Sequence, residues 1–156
     1  MRNFSTKRQV RHTAQEMFDL VADVESYPRF VPLCERLVVR RRETIGEIER
    51  LTADMTIAYK LFRETFASCV TLDRAALEIS VAYLDGPFRT LENDWVFADA
   101  GPGSSEVDFR IVYELRSLPL QMLVGAVFDR VYGKMVEAFE VRADQIYGTE
   151  AVARAV

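Results

Sequence analysis

Val107-Asp108-Phe109-Arg110-Ile111-Val112-Tyr113-Glu114-Leu115 is a run of clean alternation that turns through Ser117 and Pro119 into a long apolar segment. Its odd positions are all apolar and its even ones mostly charged, so one face of a strand is buried and the other meets water. From Leu118 the period becomes helical. Two adjacent apolar stripes emerge: Leu120, Val124, Val127, Val131, Met135 and Ala138, then Phe128, Tyr132, Val136, Phe139, Ala143 and Ile146. Polar residues keep to a strip through Asp129, Lys134, Glu137, Glu140 and Asp144. The apolar stripe of a surface helix spans about 100°, and this one is nearly twice as wide, so another element must wrap around it. A curved sheet is the natural partner. A helix from Leu118 to Tyr147 would be about 45 Å long, enough to lie across a whole twisted sheet. One helix cannot fill a strongly curved sheet at both ends, so side chains or a ligand take up the remainder.

Upstream, residues from about 5 to 12 read as a first strand. Thr13 followed three residues later by Glu16 is a capping-box signature, opening a short helix that buries Ala14, Met17, Phe18 and Val21. Pro28 and Pro32 limit the next segment to one or two helical turns or a loop. Between Glu35 and Leu115 strand follows strand. Leu51, Ala53, Met55, Ile57 and Tyr59 alternate with polar residues, as do Leu77, Ile79, Val81 and Tyr83, while Phe62, Phe66, Val70 and Leu72 do so less strictly. Turn signals at Gly46, Asp73-Arg74, Asp85-Gly86-Pro87 and Ala100 to Ser104 leave gaps too short for parallel crossovers, so the strands are antiparallel. The fold class expected is α+β: a curved antiparallel sheet of about seven strands around a long C-terminal helix, with one or two short helices after strand 1. Residues 1–147 form a single domain and 148–156 a disordered tail.

The 156 residues are enough to bury a substantial core without metals or disulfides, and the 49% hydrophobic content fits an ordinary globular domain. A net charge of −4 argues against general nucleic-acid affinity. The chain opens on charged residues without a signal-peptide run and has no span of about 20 apolar residues, so a cytoplasmic location is expected. Cys34 and Cys69 form no paired motif, which suits a reducing compartment.

Catalytic signatures are missing. There is one histidine, His12, read as solvent-facing or locally hydrogen-bonded, and no GxSxG, HExxH, paired CxxC or dinucleotide-binding glycine pattern. No catalytic residue and no metal site is assigned. Glu64, Glu92, Asp94 and Asp108 fall on predicted strands, where the wet face is their ordinary place. Glu64 is the exception, because register with Phe62 and Phe66 would point it inward, where it would need a partner or a raised pKa. The many aromatics on the sheet, together with the oversized helix, favour a pocket lined by apolar and aromatic groups. Tyr27 to Leu33 sets aromatics between prolines, either as a lid or as packing against the helix. Ser117 to Phe128 carries no charge, which suits a buried or interfacial helix end. Arg36, Arg40, Arg41 and Arg42 form the dense basic cluster; alternation sends Arg40 and Arg42 to one face and Arg41 to the other. Such a stripe discourages edge pairing or touches RNA or anionic lipid.

Three blocks carry a family resemblance: Val21-Ala22-Asp23-Val24-Glu25-Ser26-Tyr27-Pro28-Arg29-Phe30-Val31-Pro32-Leu33-Cys34, Asp85-Gly86-Pro87-Phe88-Arg89 with Leu91 and Trp95, and Met135-Val136-Glu137-Ala138-Phe139-Glu140 with Arg142-Ala143. They resemble the coenzyme Q-binding START-like family of the polyketide cyclase/dehydrase superfamily, whose bacterial members are also labelled ribosome association toxin. The resemblance covers about residues 3 to 147. It implies a helix-grip fold with a hydrophobic tunnel, binding of an isoprenoid quinone such as ubiquinone in support of respiratory electron transport, and no catalysis or required cofactor. It also implies, as the alternative, contact with the large ribosomal subunit that blocks subunit association; a small-molecule cyclase or dehydratase using Glu64 is the third reading. The expected ligand-lining residues are Phe66, Phe88, Leu91, Trp95, Phe97, Phe109, Val131 and Met135. Arg36, Arg40 and Arg42 are the candidates for RNA or anionic-lipid contact. The expected partners are a quinone or other lipid, with peripheral contact to the inner membrane or respiratory enzymes.

Overall fold

The structure is a computed structural model and describes residues 2–148. The elements run β1 (Arg2–Val10), α1 (Ala14–Ala22), a 3-10 turn (Val24–Arg29), β2 (Cys34–Ile45), β3 (Ile48–Tyr59), β4 (Phe62–Asp73), β5 (Glu78–Asp85), β6 (Phe88–Asp99), β7 (Ser105–Leu115) and α2 (Leu118–Tyr147). The seven strands make one antiparallel sheet in the order β1-β7-β6-β5-β4-β3-β2. β2 to β7 is therefore a meander of hairpins, and β1 closes the far edge by pairing along β7 from Arg2↔Tyr113 to Val10↔Ser105. The sheet curves around α2, giving the helix-grip architecture expected from the wide apolar stripe.

Local chemistry explains the boundaries. β1 starts and ends earlier than alternation suggested, because its pairing with β7 stops at Val10 and Thr13 already caps α1. The Thr13 side chain accepts from the Glu16 N–H while the Glu16 carboxylate accepts from the Thr13 N–H, so both partners of the capping box are in place. Ser117 does the same duty for α2, its hydroxyl accepting from the Leu120 N–H, and Pro119 occupies the first turn where no N–H is needed. Gly148, at φ 80°, caps the other end. Residues 149–156, the rest of the expected tail, lie outside the described residues, as does the Val124 side chain of the first stripe.

Two features escaped the sequence. The β3–β4 hairpin turns at Lys60-Leu61 with Lys60 at φ 54° and no Gly, Pro or Asn to mark it. Leu77, expected in a strand, sits at φ 57° in the turn before β5.

The core runs between the inner face of the sheet and α2. Trp95 stands at its centre, 4.7 Å from the Phe109 ring and 5.1 Å from that of Phe139. α1 closes one end, where Phe18 packs edge-on against Phe97 at 6.0 Å. Three polar ties fasten α2 to the first strand and its exit: Arg2 to Asp129, Arg8 to Glu140 at 2.6 Å, and His12 Nε2 to Asp144 Oδ1 at 2.7 Å. His12 is 2% exposed, so it is not solvent-facing; its partner comes from the far end of α2.

Candidate functional site

Between the sheet and α2 lies an apolar cavity of about 110 Å³. The sheet contributes residues of β2 to β7, mostly at alternate positions, because positions two apart on a strand share a face. Cross-strand register sets them in rows: Ala53 beside Ser68, and Val70 beside Val81 with Asn93 next along. α2 supplies Phe128, Val131, Tyr132, Met135 and Phe139 from the opposite side, spaced three and four apart. The turn and loop after α1 complete the wall with Val24, Tyr27, Val31, Pro32 and Leu33.

Of the residues expected to line a pocket, Phe66, Phe88, Leu91, Trp95, Val131 and Met135 face this cavity. Phe97 and Phe109 are not among its lining residues. Both point inward, but Phe97 is covered by Phe18 of α1 and Phe109 by Phe4 of β1, so the space beside them is filled by protein. Parity identifies the buried face of a strand; it does not say which stretch of that face another element covers. The Tyr27 to Leu33 segment both packs and lines. Phe30 and Tyr27 set their rings edge-on against Phe139 at 5.0 and 5.2 Å, while Tyr27, Val31, Pro32 and Leu33 reach the cavity.

Among the described residues, the wall carries no charged side chain. Five of its residues bear a polar hydrogen: Tyr27, Ser68, Asn93, Trp95 and Tyr132. Three are occupied by the protein itself. Tyr27 donates to the Val21 carbonyl at 2.5 Å, Asn93 Nδ2 to the Arg110 carbonyl at 2.9 Å, and Trp95 Nε1 to Asn93 Oδ1 at 3.0 Å. The hydroxyls of Ser68 and Tyr132 have no hydrogen-bond partner among the described residues, although both residues are buried. Burial holds the phenols of Tyr27 and Tyr132 well above the usual tyrosine range, so both are neutral at physiological pH. Burial also pushes the Cys34 thiol, next to the wall, up to about 11, which makes it an inert thiol rather than a nucleophile.

Sequence reasoning did not single out Ser68, Asn93 or Tyr132 as site residues. The signal was available: Ser68 shares parity with Phe66 and Val70, Asn93 with Leu91 and Trp95, and a small polar residue on a buried strand face needs either a partner or a ligand.

Glu64 keeps the parity of Phe62 and Phe66 but lies toward the β3–β4 turn and is exposed, so it is not enclosed among aromatics. The basic cluster is also arranged differently from simple alternation. A bulge between Val39 and Arg41 leaves Arg40 unpaired in the ladder and reverses the faces that follow. Arg42 consequently pairs opposite buried Leu51, on the inner side, and binds Glu25 at 2.5 Å and Glu49 at 3.6 Å. Arg40 turns to the outer face and binds Asp54 at 2.8 Å, while Arg36 is exposed opposite Thr56. The three arginines therefore do not share one face. Among the described residues, no three His, Cys, Asp or Glu side chains gather as metal ligands would, and no helix is long and apolar enough to cross a membrane.

The family model described as polyketide cyclase / dehydrase and lipid transport matches residues 10–140. A protein named ribosome association toxin RatA from Vibrio cholerae is 30% identical over 148 residues, covering 95% of this chain and 99% of that protein. A mitochondrial protein of Drosophila melanogaster named coenzyme Q-binding protein COQ10 is 31% identical over 144 residues, covering 89% of this chain and 58% of that protein. The solution structure of an 18 kDa protein from Caulobacter crescentus superposes with a TM-score of 0.78 at 32% identity, over 96% of this chain and all of that one. The same fold occurs in a START superfamily protein from Mycobacterium smegmatis, which superposes with a TM-score of 0.74 at 19% identity over 92% of this chain.

Proposed function

The chain belongs to the polyketide cyclase / dehydrase and lipid transport family, and from that premise we propose that it is a lipid-binding protein whose cavity takes an isoprenoid quinone such as ubiquinone, in support of respiratory electron transport. The observation that carries this reading is a cavity walled by apolar and aromatic side chains without one charged group among the described residues. Each ~100 Å² of ligand surface moved from water into such a wall contributes about 2.5 kcal/mol. The similarity to a protein named for coenzyme Q binding supports the choice of quinone. At about 110 Å³ the cavity is smaller than the roughly 300–1,000 Å³ of ordinary ligand pockets, so binding widens it. Met55 and Met135, flexible thioether side chains in the wall, are the parts best able to adapt.

The test is organic extraction of the protein purified from its own host, alongside its Val131→Lys variant, with mass spectrometry of both extracts. Quinone in the first and not the second supports the reading. Equal quinone in a folded Val131→Lys protein removes the cavity from it.

A second reading, association with the large ribosomal subunit, is favoured by the similarity to proteins named ribosome association toxin along nearly the full chain. Its charge-dependent form now rests on Arg36, since Arg40 and Arg42 are held by carboxylates. It requires salt-sensitive co-sedimentation with ribosomal particles that Arg36→Glu weakens; co-sedimentation indifferent to that change removes Arg36 from the contact.

A further inference from the structure

We infer that the ligand is an electrically neutral molecule bound head-inward, with a hydrogen-bonding oxygen seated against the hydroxyls of Ser68 and Tyr132; this rests on the lipid-binding reading above. Ser68 is 5% exposed and Tyr132 8% exposed, and both line the cavity. They approach it from opposite layers, Ser68 from β4 between Phe66 and Val70, Tyr132 from α2 with its ring 5.3 Å from that of Tyr113. The Tyr27 hydroxyl, the Trp95 indole N–H and one N–H of the Asn93 amide are already donated to protein oxygens, which leaves Ser68 and Tyr132 as the lining hydroxyls without a partner among the described residues. A buried hydroxyl without a partner is costly, and the cost is removed when a ligand oxygen binds it.

Two orientations of an amphiphile are conceivable, and these hydroxyls separate them. A tail pushed inward would leave both hydroxyls against hydrocarbon. A head pushed inward satisfies them.

The absence of charge from the wall then selects the head. A fatty-acid carboxylate or a phosphate inside would lose its hydration with no cation to replace it, a far larger penalty than the two hydroxyls could offset. A carbonyl, ether or hydroxyl oxygen loses little hydration and finds donors waiting. The class is therefore a neutral lipid whose polar end is small and oxygenated.

Three probes test this by calorimetric titration of the full chain: a short-chain ubiquinone analogue, an alkylbenzene of equal chain length, and palmitate. They are run on the natural protein and on Ser68→Ala and Tyr132→Phe. Each substitution is expected to weaken the quinone analogue about two- to tenfold while leaving the alkylbenzene within about twofold. Palmitate is expected to bind more weakly than the quinone analogue throughout. Tyr132→Phe is expected to melt no lower than the natural protein, since the hydroxyl it removes bonds to nothing in the fold. Quinone binding unchanged in both variants, an alkylbenzene loss equal to the quinone loss, or palmitate bound as tightly as the quinone analogue overturns the inference while leaving lipid binding intact. Failure of both the quinone analogue and the alkylbenzene to bind the natural protein overturns the lipid-binding reading, and this inference with it.

Discussion

The phenol of Tyr113 donates to the Asp129 carboxylate at 2.9 Å, tying the last strand to the helix that follows it. Arg2 binds the same carboxylate from β1, so one acidic group gathers three elements. Arg2 foremost, and Tyr113 after it, holds Asp129 below the usual carboxylate range, while burial and then Asp129 push Tyr113 up to about 12. A lowered carboxylate pKa stabilises the fold above the unfolded value near ~3.9 and loses that contribution as pH falls through the folded value. Asp129→Asn is therefore expected to melt lower than the natural protein at pH 7, with the gap closing below about pH 4. Melting temperature against pH for both proteins checks this; a gap constant with pH would show that the charge of Asp129 plays no part.

His12 is buried and reaches Asp144 across 132 positions of sequence. Its loss removes a hydrogen bond to a charged group and leaves a hole where β1 meets the end of α2. His12→Ala is expected to lower unfolding free energy by about 1–3 kcal/mol in chemical denaturation, and Asp144→Asn by less, because an amide oxygen can still accept.

Gly86 has a structural reason that its place in an Asp-Gly-Pro turn does not reveal. A Cβ added there would stand 2.5 Å from Phe66 Cβ and 3.0 Å from its Cα, at φ 144°. Neither neighbour can swing away, since both belong to the backbone or its first carbon. Gly86→Ala is expected to cost about 1–3 kcal/mol and to shift Phe66 in the cavity wall, lowering melting temperature and quinone affinity together.

Packing and lining should separate by mutation. Phe97 lies under α1 and outside the cavity, whereas Val131 is half-buried in its wall. Phe97→Leu is expected to lower stability by about 1–2 kcal/mol with quinone affinity unchanged. Val131→Lys is expected to do the reverse. Denaturation and ligand titration on the two variants give the comparison.

The parts of the fold legible in the sequence were those dictated by local periodicity and capping. β7 and α2 announced themselves through alternation and the doubled stripe, and Thr13 with Glu16 marked the start of α1 to the residue. What was not legible depended on contacts between distant segments. The Lys60-Leu61 turn carries no turn residue, because the pairing of β3 with β4 holds Lys60 at positive φ. The Arg40 bulge reverses the strand faces without changing composition, so alternation misplaced Arg42. Phe97 and Phe109 have the parity of lining residues, and only the positions of α1 and β1 show that they are covered. Ser68 drew no notice on β4, where the alternation is less strict, yet a small polar residue on a buried strand face is what makes it notable.

Trp95, the chain's only tryptophan, is 2% exposed and forms part of the cavity wall, so its fluorescence reports on whatever enters. The most direct test of the central claim is titration of the protein with a short-chain ubiquinone analogue while following Trp95 emission, with Val131→Lys in parallel. Saturable quenching in the natural protein that is lost in the variant is the expected result. Quenching that rises linearly with quinone and is the same in both proteins, as collision from solvent would give, would contradict a quinone site between the sheet and α2.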